Sequence, residues 1–433
     1  MNKKLRQALL GEYKAKFLPK KFVPGQSFVP VSGKVFDEQE ILAATEAVLD
    51  GWWTEGRFSD LFEEKISKWL GVKHAILVNS GSSANLLALT ALKSSQLGDR
   101  KLNAGDEVIT VATGFPTTVN PIVQNGFLPV FVDVELGHYN ASPMAIKKAI
   151  GKKTKAIILA HTLGNPFDLE AITKLCRDHK LWLIEDNCDA LGSKYNGKRT
   201  GTFGNISTGS FYPAHHITTG EGGALFTDDL LLNKIIRSMR DWGRDCWCKT
   251  GHDNTCGKRF DGQFGNLPRG YDHKYVYSEM GYNLKLTDMQ AALGLAQMEK
   301  LDGFIEKRKE NFNILYNGLK KYKKYFILPS WLENAAPSWF GFLLTVKTGA
   351  PFNRDQIIKY LQTKKIGTRY LFAGNLTKQP YFINNKIKYR IVGGLKNTDL
   401  VMKNTFWIGC YPGLTKEMLE YVVASFDSFL VRF

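Results

Sequence analysis

Four apolar runs punctuate the first half of the chain, at residues 107–111, 128–133, 155–161 and 181–186. Each is nearly continuous in Val, Ile, Leu, Ala or Phe, without the polar–apolar alternation of a half-exposed strand. Strands of that kind are buried on both faces, as in parallel sheets. Between them lie stretches with apolar residues at helical spacing, such as 169–176. Strand and helix in alternation predict an α/β fold with a mostly parallel sheet. A helical stretch over roughly 287–322 then leads toward a smaller C-terminal α/β region. The expected organisation is an N-terminal arm over 1–35, a large domain over 36–300 with a polar, glycine-bearing loop at 241–271, and a small domain over 301–433.

Composition narrows the picture. With 433 residues, 44% of them hydrophobic, the chain is long enough to bury a large core. Lys and Arg number 58 against 41 Asp and Glu, a net charge of +17. Such an excess raises the question of nucleic acid. The lysines, however, are spread through 1–21, 300–325 and 354–388 with no aromatic interleaving in one tract, so no nucleic-acid partner is expected. A dianionic substrate and an acidic partner protein are the better uses of that charge. The charged N-terminus Met1-Asn-Lys-Lys-Leu-Arg is not a secretory signal, and no apolar segment is long enough to span a membrane. A cytoplasmic chain with reduced thiols is expected.

Two sets of residues point to chemistry. Asn79-Ser80-Gly81-Ser82-Ser83-Ala84-Asn85 opens an apolar helix with small polar residues, which present backbone N–H groups to an anion. Asp186 ends the strand 181–186, and Phe115, Ser210 and Asn283 stand in the other tracts with chemical potential. Among six cysteines, Cys176 and Cys410 lie in apolar surroundings and read as core residues. Cys246, Cys248 and Cys256 lie in the polar loop, where thiols make better metal ligands than core. Cys188 is the candidate for a fourth ligand. The spacing is unlike a zinc ribbon with its paired C-x2-C knuckles, though structural zinc stays open at this point.

The tract Ser210-Phe-Tyr-Pro-Ala-His215-His216-Ile-Thr-Thr-Gly220-Glu-Gly-Gly223 resembles a segment of the DegT/DnrJ/EryC1/StrS sugar aminotransferases. In that family a lysine of this segment forms a Schiff base with pyridoxal phosphate (PLP). Here the matching residue is His215, which cannot form that bond but can move a proton near neutral pH. The resemblance runs from about Phe36 to near the C-terminus and implies the aspartate-aminotransferase (type I) PLP fold. It further implies that Gly81, Ser82, Ser83 and Ser210 hold the cofactor phosphate, that Phe115 stacks on the pyridine ring and that Asp186 pairs with the ring nitrogen. Asn283 would reach the cofactor phosphate of a neighbouring subunit in a homodimer with shared active sites. The cofactor would be held non-covalently, as pyridoxamine phosphate (PMP).

The cysteine spacing C-x57-C-x-C-x7-C, with Arg240-Asp-Trp-Gly-Arg-Asp before Cys246, is similar to the cluster-containing 3-dehydrases of 3,6-dideoxyhexose biosynthesis. That branch also carries a histidine at the lysine position. The resemblance implies a [2Fe–2S] centre on Cys188, Cys246, Cys248 and Cys256. It implies C3 deoxygenation of CDP-4-keto-6-deoxyglucose on the way to an O-antigen dideoxysugar, with electrons from an NADH-dependent flavin/iron–sulfur reductase. His216 and Arg369 are weaker candidates for substrate contact, Arg369 through a diphosphate fork. If the strand 181–186 continues to Cys188, Asp186 and Cys188 share a face with α-carbons roughly 7 Å apart. A cluster-free dehydratase and a zinc-bearing, catalytically inert scaffold are the competing expectations.

Overall fold

The computed structural model describes residues 1–17, 21–255 and 257–433, so Cys256 lies outside the described residues. All four apolar runs are strands of one eight-stranded sheet. Its spatial order is His74–Val78, Gly223–Thr227, Ile206–Ser210, Trp182–Asp186, Thr154–Ala160, Glu107–Val111, Leu128–Val132 and Arg390–Val392. Pairings are parallel from Ile206–Ser210 through Arg390–Val392, and antiparallel where Gly223–Thr227 meets Ile206–Ser210 and His74–Val78. The central strands are buried along their whole length, which is why they read as unbroken apolar runs. Helices cover both faces. Ile76, Val108, Ile158 and Ile184 pack toward the helix Gly81–Ala91, while Ile109, Ile157 and Leu183 pack on the opposite side with Leu169 and Ile172.

A second, four-stranded antiparallel sheet is formed by Phe326–Ile327, Gly341–Val346, Thr405–Gly409 and Thr368–Tyr370. Its core is aromatic. Phe312 stacks on Trp339 with ring centroids 3.9 Å apart, and Phe342 and Phe426 lie in the same cluster. The segment Arg390–Val392, late in the chain, leaves this region and adds an edge strand to the large sheet beside Leu128–Val132.

The expected helix over 287–322 is two helices, Asp288–Met298 and Leu301–Leu319, followed by one 3₁₀ turn. The break at Glu299–Lys300 has a side-chain cause. The Lys300 ammonium is bound by Asp37 at 2.8 Å and by Glu40 at 2.5 Å, and Leu301 is buried directly after it. Asp288 does more than begin its own helix. It accepts hydrogen bonds from Gly56 N, Ser59 N and Ser59 Oγ, so it caps the helix Arg57–Leu70, whose own N-cap residue is a glycine. The N-terminal arm carries a helix at Lys3–Lys16 capped by Asn2, with none of its residues buried. No described helix is long and apolar enough to cross a membrane.

Candidate active site

The site lies at the C-terminal ends of the parallel strands, where open α/β sheets bind ligands. Ser80 ends the connection from the first strand, and its Oγ accepts from Ser83 N at 3.0 Å, capping the helix Gly81–Ala91. The Ser83 amide therefore serves the cap, which leaves Gly81 and Ser82 as the first-turn N–H groups suited to an anion. The wall opposite is close. A Cβ at Gly81 would lie 2.5 Å from Ser210 Cβ and 2.9 Å from Ser210 Oγ. A Cβ at Gly223 would lie 2.5 Å from the Ser80 carbonyl oxygen and 2.6 Å from Gly81 N. Gly223 lets its strand approach the Ser80–Gly81 backbone, and Gly81 leaves room for the Ser210 side chain, so Ser210 stands at the helix N-terminus.

Asp186 stands beside this cradle. Its Oδ2 accepts from Asn85 Nδ2 at 2.8 Å and from Thr118 Oγ1 at 2.6 Å, and its Oδ1 accepts from Cys188 N at 3.2 Å. Asn85 is oriented in turn by Thr208, whose hydroxyl donates to Asn85 Oδ1 at 2.7 Å. Asn85 and Thr118 were not singled out in the sequence. Only their helical offsets from Gly81 and from Phe115 could have suggested them. Phe115, the residue before the helix Pro116–Gln124, is 51% exposed and meets Phe372 edge-on at 5.6 Å. An exposed ring directly before the helix that binds Asp186 fits a stacking role.

His215 is largely buried in a turn after the Ile206–Ser210 strand. Its ring lies 5.1 Å from Phe340, and its Nδ1 is 3.4 Å from Asp189 Oδ1. Burial, reinforced by the Arg308 charge, lowers its pKa to about 4. Burial and the neighbouring Asp186 push Asp189 up to about 8. The contact is close enough for an ion pair, but those two directions make it neutral: an unprotonated imidazole beside a protonated carboxyl. His215 is thus held as a base. Asp189 was also missed in the sequence, where it read as one more acidic residue after a strand.

The remaining expectations fare differently. His216 is only 2% exposed, and its Nε2 is 3.0 Å from the Ser338 carbonyl. It is committed to the interior, not to substrate. Asn283 is exposed, and its backbone bridges to Asp241. Arg369 is exposed on the Thr368–Tyr370 strand, donating to its neighbour's carbonyl, three residues before Phe372. The strand Trp182–Asp186 stops at Asp186 and the chain turns, with Ala190 N bonded to Asn187 O at 3.0 Å, so the shared-face geometry for Cys188 does not arise. Cys188 Sγ faces the cradle instead, 3.1 Å from a Cβ position on Gly81. Cys246 and Cys248 line a separate pocket with Asp253, Arg259, His273 and Lys274. No group of three or more His, Cys, Asp or Glu side chains able to hold a metal occurs among the described residues. The described residues fit PMP; Cys256, one of the four expected cluster ligands, lies outside them.

Comparison with known proteins places this geometry. Residues 35–427 match the model of the DegT/DnrJ/EryC1/StrS aminotransferase family. The chain belongs to that family. Among its members, the chain is 59% identical to lipopolysaccharide biosynthesis protein RfbH of Salmonella typhimurium, over 95% of this chain and 94% of that one. It is 52% identical to dTDP-4-dehydro-2,6-dideoxy-D-glucose 3-dehydratase of Saccharopolyspora spinosa, covering 95% and 88%. The fold superposes with a TM-score of 0.83 on the E. coli GDP-4-keto-6-deoxy-D-mannose-3-dehydratase with bound hydrated PLP, at 28% identity over 92% of this chain and 99% of that one. The type I PLP fold follows for this member of the DegT/DnrJ/EryC1/StrS family.

The cradle generates a direct test. Gly223→Ala puts a methyl against the Ser80 carbonyl, and a PMP titration should show affinity weakened at least about tenfold, roughly 1.4 kcal/mol. Thermal unfolding of the apo protein should report a folded chain. Unchanged PMP affinity would mean the phosphate is held elsewhere.

Proposed function

We propose that the chain is a PMP-dependent nucleotide-sugar 3-dehydratase, which removes the C3 hydroxyl of a 4-keto-6-deoxy sugar and transfers no amino group. The observation that carries this reading is His215, a buried neutral imidazole where the family's transaminases have lysine. The relatives named above as 3-dehydratases support it.

PMP, when bound, supplies an amine that engages the C4 ketone and a pyridine ring that takes up the electrons released at C4′. The Gly81 and Ser82 amides and the Ser210 hydroxyl would hold its phosphate, and Phe115 would cover one face of its ring. Asp186, fixed by Asn85 and Thr118, would keep the ring nitrogen protonated. With PMP bound, His215 would accept the C4′ proton at Nε2, its Nδ1 proton facing Asp189. His215 would pass that proton to the departing C3 hydroxyl, which leaves as water; the two electrons the sugar gains would come from C4′, and without an external reductant the nitrogen would leave as ammonia with the cofactor at the PLP level. The carboxyl of Asp189 orients the imidazole and offers a proton partner on the side away from the cofactor.

The base should work well below the pH of an ordinary histidine. The neutral form is lost only as pH falls through about 4, so the acid limb of kcat/KM lies near pH 4 and not near 6.5. His215→Asn should lower kcat by about 10²–10⁴-fold with PMP affinity retained. A limb near 6.5, or a His215→Asn variant with full activity, would sink the reading.

The finer reading concerns substrate and electrons. It takes CDP-4-keto-6-deoxyglucose as substrate, a [2Fe–2S] centre on Cys188, Cys246, Cys248 and Cys256, an NADH-dependent flavin/iron–sulfur reductase as partner, and a homodimer in which Asn283 serves the other copy's cofactor. The cysteine spacing, the basic charge and the identity with RfbH support it. After anaerobic reconstitution, this reading expects about two iron and two sulfide per chain and an EPR signal on reduction. Iron-free protein that still turns over would leave a cluster-free dehydratase.

A further inference from the structure

Arg308 is the largest fully buried side chain in the described protein, 1% exposed, in the middle of the helix Leu301–Leu319. A buried guanidinium is costly unless its donors are used and its charge has a purpose. Its four hydrogen bonds among the described residues all go to backbone carbonyls. Nη2 donates to His215 O at 3.1 Å and to Ala214 O at 3.5 Å. Nη1 donates to Trp339 O at 3.1 Å and to Phe340 O at 3.5 Å. One planar fork therefore ties the turn that carries His215 to the segment that carries Phe340, whose ring packs on the His215 imidazole. His216 makes the same connection one residue on, through the Ser338 carbonyl.

We propose that Arg308 is a positioning residue for His215: its fork fixes the backbone of residues 214–215 against residues 339–340 and so holds the imidazole against the Phe340 ring. The proposal rests on the reading of His215 as the base. Lysine could not serve equally, because a compact ammonium cannot span two carbonyl pairs as the planar fork does. The placement matters because a base displaced by about 1 Å from its proton can lose on the order of a hundredfold in rate.

The test uses full-length PMP-loaded protein with 13C-labelled histidine. The His215 ring signal, assigned by its loss in His215→Asn, is recorded by NMR at one pH in wild type, Arg308→Lys and Arg308→Met. In Arg308→Met the signal should shift as the imidazole leaves the Phe340 ring, and kcat should fall on the order of tenfold to a hundredfold with KM for the sugar unchanged. In Arg308→Lys the signal should shift the same way and kcat should fall about tenfold. A folded Arg308→Met with the wild-type signal or the wild-type kcat overturns the proposal. If Arg308→Met does not fold, wild-type kcat in Arg308→Lys overturns it instead. The NMR signal needs no turnover, so a shift in a wild-type-like fold, with a wild-type protein that has no dehydratase activity, would refute the function and leave the Arg308 placement standing.

Discussion

The Asp186 carboxylate is the constraint on which the rest of the site depends. A charged group buried at the end of a central strand must have its oxygens satisfied. Satisfying them draws in three separate parts of the chain. Asn85 comes from the helix whose N-terminus forms the phosphate cradle, Thr118 from the helix that Phe115 precedes, and the Cys188 amide from the turn that leads to Asp189. Thr208 extends the network to the strand that ends in Ser210. One acidic side chain thus sets the relative positions of the helix N-terminus at Gly81, the Phe115 ring and Asp189. Such networks are rigid when complete and weak when any member is missing.

The same low-polarity surroundings decide protonation. Burial pushes His215 down and Asp189 up, so the proton of the pair resides on the carboxyl and the imidazole is left as a base. A lysine at position 215 would put an amine in that place and commit the scaffold to carrying the cofactor covalently. In the proposed reading, that one exchange separates proton transfer from amino transfer.

The fold was largely legible because its strands are buried on both faces and therefore leave an unbroken apolar signature. The helix break at Glu299–Lys300 was not, because it depends on Asp37 and Glu40, more than 250 residues away in sequence. The edge strand Arg390–Val392 is too short for periodicity to reveal. Of the site, the motif residues Gly81, Ser210, Phe115, Asp186 and His215 were readable by type and order. Asn85, Thr118, Asp189 and Arg308 were not, since each has meaning only through a partner in another element. The turn after Asp186 was not readable either: it ends the face that Asp186 and Cys188 were expected to share and places the Cys188 sulfur beside Gly81.

The central claim is that this transaminase fold moves a proton and expels a hydroxyl without donating nitrogen. The most direct test incubates the protein and PMP with a nucleotide-linked 4-keto-6-deoxy sugar in deuterated water, without reductant, and analyses cofactor and sugar by mass spectrometry. The account predicts loss of the C3 hydroxyl from the sugar, PMP carried to PLP with its nitrogen released as ammonia, and no amino sugar. An amino sugar formed together with PLP, or a sugar returned intact with no exchange at C4′, would contradict it.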